Sequence, residues 1–270
     1  MELNFITNSV LFDVRESVAY ITLNDPAQMN PVTAEVMRDL IQCLNYCERE
    51  SDVRAIVLRG AGGNFTAGGN VKGMKERLDK GINTTKSGIR SGGEFIMRLK
   101  TISKPTIAWI EGAVAGVGMS MAMACDFSIA EETAKMVFAF VNIGFVPDGG
   151  VAYMLSKAVG PARATELLMS GKRFSGAQAK EWGIITEAVP KEQLEDRSSA
   201  ASDVYKRQGR NRSEIYQKIC AGPQRSLCAD QAAAAERQLS GTECLYAERG
   251  GGPVRLQPHR GPPGGRECVC

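Results

Sequence analysis

The chain has 270 residues, with 33 Lys and Arg against 30 Asp and Glu and a net charge of +3. That length suits one large domain, or a core with a small appendage, and is enough to bury a substantial core. So small a charge gives no support to a nucleic-acid role, and no apolar run reaches the ~18 residues of a membrane-spanning helix. In chain order, the opening MELNFITNSVLFDVRES carries acidic residues and no continuous apolar stretch, so it does not read as a secretory signal. Residues 18–23 (VAYITL) are strand formers ending at the turn Asn24-Asp25-Pro26. Thr33 is placed to cap a helix whose apolar positions Val36, Met37, Leu40, Ile41 and Leu44 follow helical periodicity. Residues 55–58 (AIVL) predict a strand buried on both faces, followed by a glycine loop and then NFTAGGNVKGM over 64–74. Residues 75–90 are charged and polar and predict a mobile loop or a solvated helix.

Phe95, Ile96, Leu99 and Ile102 predict a helix, and residues 105–110 (PTIAWI) another buried strand. The stretch 112–150 organises the rest. It opens on Gly112, Gly116 and Gly118, continues into a helix of small residues and Met, and ends in a second glycine turn that carries Asp148. Glycines ahead of a helix leave backbone N–H groups free for an anion or a developing oxyanion, though a tight turn feeding a buried helix reads equally well from this stretch alone. Residues 126–130 predict a short strand, 151–159 and 163–169 helices, and Ser175 the cap of a short helix stopped by Gly183. A strand over 184–189 closes at Pro190. Alternating strands and helices imply an α/β fold with right-handed crossovers. Cys43, Cys47 and Cys125 sit in helical or apolar surroundings and read as small hydrophobes in a reducing cytosol. His259 is the single histidine, so a His-based metal site or a Ser-His-Asp triad lacks material, and no metal is expected.

Residues 8–195 resemble the crotonase superfamily, the enoyl-CoA hydratase/isomerase family. Segment 64–74 is similar to the family's AFxAGxDxxxM, and 112–126 to its GxxxGGGxxxxxxCD. Segments 159–171 and 174–183 are similar to its VGxxxAxEllltG…xAxxAxxxGLV run. The resemblance implies an α/β spiral of ββα turns, acyl-CoA thioester substrates with no separate cofactor, and a homotrimer or hexamer in the cytoplasm. By motif position it makes Gly69 N–H and Val117 N–H the pair of oxyanion donors, Val117 standing where the family usually has Gly. Gly116 and Gly118 shape the second donor loop. Gln28, Met29 and Asn30 fall where the family's first loop touches CoA. Thr66, Ala67 and Gly68 are expected to meet adenine and pantetheine through the backbone, with Asn70 beside them in the substrate site.

The two glutamates of the family's hydratases fall on Ser120 and Phe140, so a water-activating pair is missing. Asp148, just after Pro147, resembles the single acid of the Δ3,Δ2-enoyl-CoA isomerases and of the phenylacetate-pathway ring-epoxide isomerase. One carboxylate suffices to move a proton between two carbons, and Phe138, Phe140 and Phe145 are expected to desolvate it. A turn residue beside glycines is the structural alternative for Asp148. Ser120 is expected to line the acyl pocket. Isomerase is therefore the expected activity. A hydratase-like lyase, or a CoA-binding member without catalysis, remains the alternative.

The texture changes after about residue 195, dividing the chain into a core over 1–195 and a C-terminal region over 196–270. The last residues, GGGPVRLQPHRGPPGGRECVC, have no helical apolar pattern and bury a core poorly. Residues 227–234 can be encoded by bases that, read one position later, give YAQIKQLL; residues 259–269 give TADHREGVSAF in the same offset. Both strings resemble the family's C-terminal helices, so a frame slip near Arg225 or Ser226 is expected. The literal chain should then assemble weakly and work slowly.

Overall fold

The apolar runs VAYITL, AIVL and TIAWI become parallel neighbours in the computed structural model, which describes residues 7–81 and 86–197. Strands β2 (Val18–Leu23), β3 (Ala55–Gly60), β4 (Thr106–Ile110), β6 (Phe127–Glu131) and β9 (Glu187–Val189) form the parallel part of a sheet. The edge strand β1 (Val10–Arg15) pairs antiparallel to β2. Tyr20 faces Val57, Ile56 faces Thr106 and Ile107 faces Phe127 across the ladders. Strands covered on both faces need apolar residues at nearly every position, which is why the inner runs lack alternation.

Helix α1 (Ala34–Arg49) begins where the sequence predicts, with Thr33 Oγ1 accepting from Val36 N–H at 3.2 Å. Its Val36, Leu40 and Leu44 join Ile21, Leu23, Ile56 and Leu58 in the main core. Each fully buried Leu of this kind contributes about 1.5–3 kcal/mol. Asp39 is buried on the same helix and accepts the backbone N–H of Thr7 at 2.9 Å and its hydroxyl at 2.7 Å, tying the chain entry to α1. A smaller apolar cluster on the far side of the sheet gathers Val18, Val57, Ile107 and Ile129 with Leu194.

Within 75–90, residues 75–79 and 86–90 are helical. Helix α2 (Val71–Asp79) has no buried residue, and α3 (Lys86–Thr101) buries Phe95, Ile96 and Leu99. Helix α4 (Val117–Ala124) follows the central glycines and is almost wholly buried. Helices α5 (Val151–Val159), α6 (Pro161–Ser170) and α7 (Gly176–Glu181) complete the described helical layer. Ser175 and Gln178 form a reciprocal cap on α7, and Gly183 follows in the left-handed region.

A second sheet was not expected. It joins β5 (Ala113–Ala115), β7 (Lys135–Val137) and β8 (Arg173–Ser175), each only three residues long. The expected strand over 184–189 shortens to β9, because Ile184 N–H closes α7 by bonding Ala179 C=O at 2.8 Å. The C-terminal region, including the frame slip proposed near Arg225, lies outside the described residues apart from its first two, Asp196 and Arg197.

Candidate active site

Two loops are held side by side by their own backbones. Thr66 N–H donates to Ala113 C=O and Ala115 N–H to Thr66 C=O, both at 3.1 Å, so Thr66 pairs in parallel with Val114. Counting three residues onward along both strands reaches Gly69 and Val117, the two expected donors. Among the described residues no acceptor takes the N–H of either. Val117 opens α4 with its side chain packed against the core, and that helix has no side-chain cap at Gly116. Its positive end is therefore uncompensated at this point.

The close approach explains the glycines. A Cβ at Gly68 would lie 2.6 Å from Ala115 C=O, and one at Gly118 2.4 Å from Thr66 Cγ2. Gly116 is different: a Cβ there meets nothing, but its backbone has φ +51° and ψ −120°, a conformation open to glycine. The methyl end of Met74 reaches over Gly69, where a Cβ would come within 2.8 Å of it.

Asp148 sits beside the first turn of α4, at Ser120. Its carbonyl accepts the Ser120 hydroxyl at 3.2 Å and Val151 N–H at 3.3 Å, while Gly149 and Gly150 turn the chain into α5 with φ of +62° and +71°. Asp148 Oδ1 is buried with no hydrogen-bond partner among the described residues. Burial pushes its carboxyl above the usual carboxylate range, opposed only in part by a bond to its own backbone. The atoms nearest Gly149 belong to Ser120 and Ile96. Of the three phenylalanines expected near Asp148, Phe138 stacks on Phe174 at 5.7 Å, and Phe145 is 39% exposed. Phe140 is buried at the head of a short turn and carries no polar group there. Ser120 is fully buried, its hydroxyl committed to Asp148 rather than left as a bare pocket wall.

The expected CoA-contacting loop is more occupied internally than the motifs imply. Asn30 is the hub. Its amide donates to the carbonyls of Ala61 and Asn64, both at 2.8 Å, and its Oδ1 accepts Asp25 N–H at 2.9 Å. Met29 and Asn30 are both left-handed, a conformation Asn tolerates better than most residues. Gln28 bonds Asp25, and Met29 remains half exposed. Thr66 gives its hydroxyl to Asn30 C=O at 2.5 Å and accepts Gly68 N–H at 3.0 Å. Gly68 C=O takes Val32 N–H, and Ala67 N–H goes to Met29 C=O. Of these three residues, only the Ala67 carbonyl has no donor among the described residues. Asn70 caps α2 by accepting Gly73 N–H at 2.8 Å, and its side chain borders a solvent-open cleft with Asn24, Asp25 and Gln28.

Two supports escaped the sequence reading. Asn64 Oδ1 accepts Ala113 N–H at 3.0 Å, and the buried Glu131 accepts Gly112 N–H at 3.1 Å. The available signal was a polar residue at the end of an apolar run, as in FSIAE. The three buried thiols stay protonated. Burial raises Cys47 and Cys125 to about 12 and Cys43 further, so none is a ready nucleophile.

The architecture has counterparts among known proteins. The family model described as enoyl-CoA hydratase/isomerase matches residues 13–244. The 1,2-epoxyphenylacetyl-CoA isomerase of Escherichia coli is 35% identical over 192 residues, covering 69% of this chain and 72% of that protein. The trans-2-decenoyl-[acyl-carrier-protein] isomerase of Streptococcus mutans is 30% identical, covering 69% and 71%. A crystal structure of an enoyl-CoA hydratase from a Polaromonas species superposes with a TM-score of 0.71 at 26% identity, covering 88% of this chain and 95% of that one. With its mixed α/β sheets and its helical layer, the chain belongs to the enoyl-CoA hydratase/isomerase family and has the crotonase fold.

Proposed function

We propose that this family member is an enoyl-CoA isomerase in which Asp148 carries the proton. The observation behind this reading is the buried, unpartnered Oδ1 of Asp148 in a site whose hydratase positions hold Ser120 and Phe140. The Asp148 carboxylate removes a proton from the carbon between the double bond and the thioester. The electron pair moves onto the thioester oxygen, and the enolate is held by Gly69 N–H and Val117 N–H. The protonated Asp148 then returns the proton to a carbon further along, and the double bond shifts without consuming water. Two main-chain donors suit this work because each one lost typically costs 10²–10³ in rate. The isomerase names of two relatives lend further support. The same proposal includes a cytoplasmic homotrimer or hexamer for a chain with an intact C-terminus, which light scattering on the frame-corrected chain would size.

The test is incubation of the full chain with 3-enoyl-CoA and 2-enoyl-CoA substrates in D₂O, read by NMR and mass spectrometry at stoichiometric enzyme. Isomerisation with deuterium uptake and no 3-hydroxyacyl-CoA is expected. Hydration alone defeats the reading. Tight acyl-CoA binding with no exchange would leave a binding protein.

A further inference from the structure

We infer that Ser120 is a positioning residue that holds the Asp148 carboxylate at its working place through the Asp148 main chain. The inference rests on the proton-carrying role proposed for Asp148.

Three observations converge on one spot. The Ser120 hydroxyl, fully buried on α4, donates to the Asp148 carbonyl at 3.2 Å. Gly149 lies so close that a Cβ there would be 3.1 Å from Ser120 Cβ and 3.3 Å from both Ser120 Oγ and Ile96 Cγ1. Gly149 also has φ +62°, so the turn is seated on α4 and α3 in a backbone form that only glycine adopts freely. Asp148 Oδ1 meanwhile has no hydrogen-bond partner among the described residues, and the hydrogen bond that acts on the carboxyl comes from its own backbone. No other described side chain holds the carboxyl, so its aim is set by the main chain. The main chain has two anchors at this carbonyl, Val151 N–H within the turn and Ser120 from another helix. Only the second ties the turn to the helix that begins with Val117. Ser120 therefore sets the spacing between proton carrier and oxyanion donor from a position where hydratases place an acid.

A serine contributes more here than a small apolar residue. Without the hydroxyl, the Asp148 carbonyl keeps one bond and the turn is free to slide on Ile96. Misplacement of a reacting group by about 1 Å can cost about 10² in rate. No charged side chain contributes to the shift of the Asp148 carboxyl, whose raised affinity for its proton comes from burial. A loosened turn admits water and brings that value back down.

The experiment is a double-mutant cycle on the full chain with Ser120→Ala, Asp148→Asn and the pair, together with Ser120→Cys. The readouts are kcat, KM, the acid limb of the pH profile and thermal melting. Ser120→Ala should lower kcat roughly 10- to 100-fold, leave KM within about twofold, and move the acid limb toward lower pH. In the Asp148→Asn background the same change should have no further effect on the residual rate. Ser120→Cys, with its weaker donor, should fall between Ser and Ala, and it carries the comparison if the Ala variant melts too early. Equal losses in both backgrounds, or a Cys variant at full rate, overturn the positioning role. An Asp148→Asn variant at full rate overturns the proton-carrier reading itself, whatever Ser120 does.

Discussion

Gly118→Ala tests the paired-loop architecture with a single methyl group. Gly118 is an ordinary helical glycine, so alanine adds no backbone strain, and its effect must come from contact. The new Cβ would stand 2.4 Å from Thr66 Cγ2 and needs about 1 Å more to reach ordinary contact at 3.4 Å. Thr66 cannot turn away cheaply. Its hydroxyl holds Asn30 C=O and Gly68 N–H, and rotating it would break two buried bonds at about 1 kcal/mol each, plus the desolvation of whatever is left unpaired. The cheaper response is for the loop carrying Gly69 to move away from the loop carrying Val117. Overpacking of this kind costs about 1–3 kcal/mol of stability, and a 1 Å separation of two donors costs about 10² in rate. Thermal melting and kcat/KM for 3-enoyl-CoA isomerisation check both figures. A variant that loses stability but keeps its rate would refute the claim that this contact sets donor spacing. A variant that loses neither would refute the packing argument.

Other outcomes follow from the same geometry. Asp148→Asn should reduce isomerisation by about 10²–10⁴ while leaving acyl-CoA binding intact by calorimetry. A native carboxyl raised above its unfolded value is penalised at neutral pH, and the penalty fades as pH falls through the native value. Asp148→Asn should therefore melt higher than the parent at pH 7 and lose that advantage in acid; a lower melting point at pH 7 would count against a carboxylate penalised by burial. The rate should also fall on the acid side at a midpoint above the usual carboxylate value of about 4, and a flat profile down to that pH would exclude Asp148 as base. Asn30→Ala removes the amide that joins three loop segments and should cost about 1–3 kcal/mol by urea unfolding; an unchanged midpoint would contradict the hub. Replacing residues 226–270 by the reading one base later should raise both assembly and rate, measured by light scattering and the exchange assay, and equal values for both chains would argue against a frame slip, as would an intact coding frame across Arg225.

The sequence made the central layer legible because burial on both faces leaves an unmistakable mark. VAYITL, AIVL and TIAWI have nowhere to be except inside a parallel sheet, and Thr33 announces the start of α1. Strand β1 was harder, since only Val10 of its six residues is buried. The three strands of the second sheet are held by partners far away in sequence, and three residues are too few to show a period. At the site, motif spacing singled out Gly69, Val117 and Asp148 as candidates. It could not find what holds them, because the Ser120–Asp148 bond spans 28 positions and Asn30 joins loops more than 30 positions away. It also credited Thr66 and Gly68 with free backbone groups that the fold uses internally.

The parallel pairing of Thr66 with Val114 bears on what substitution can remove. A main-chain N–H is kept by every residue except proline at its own position, so Val at 117 carries the same N–H that glycine would. What substitution can change is where that N–H stands, through neighbours such as Gly118 and Thr66 that set how closely the two loops approach.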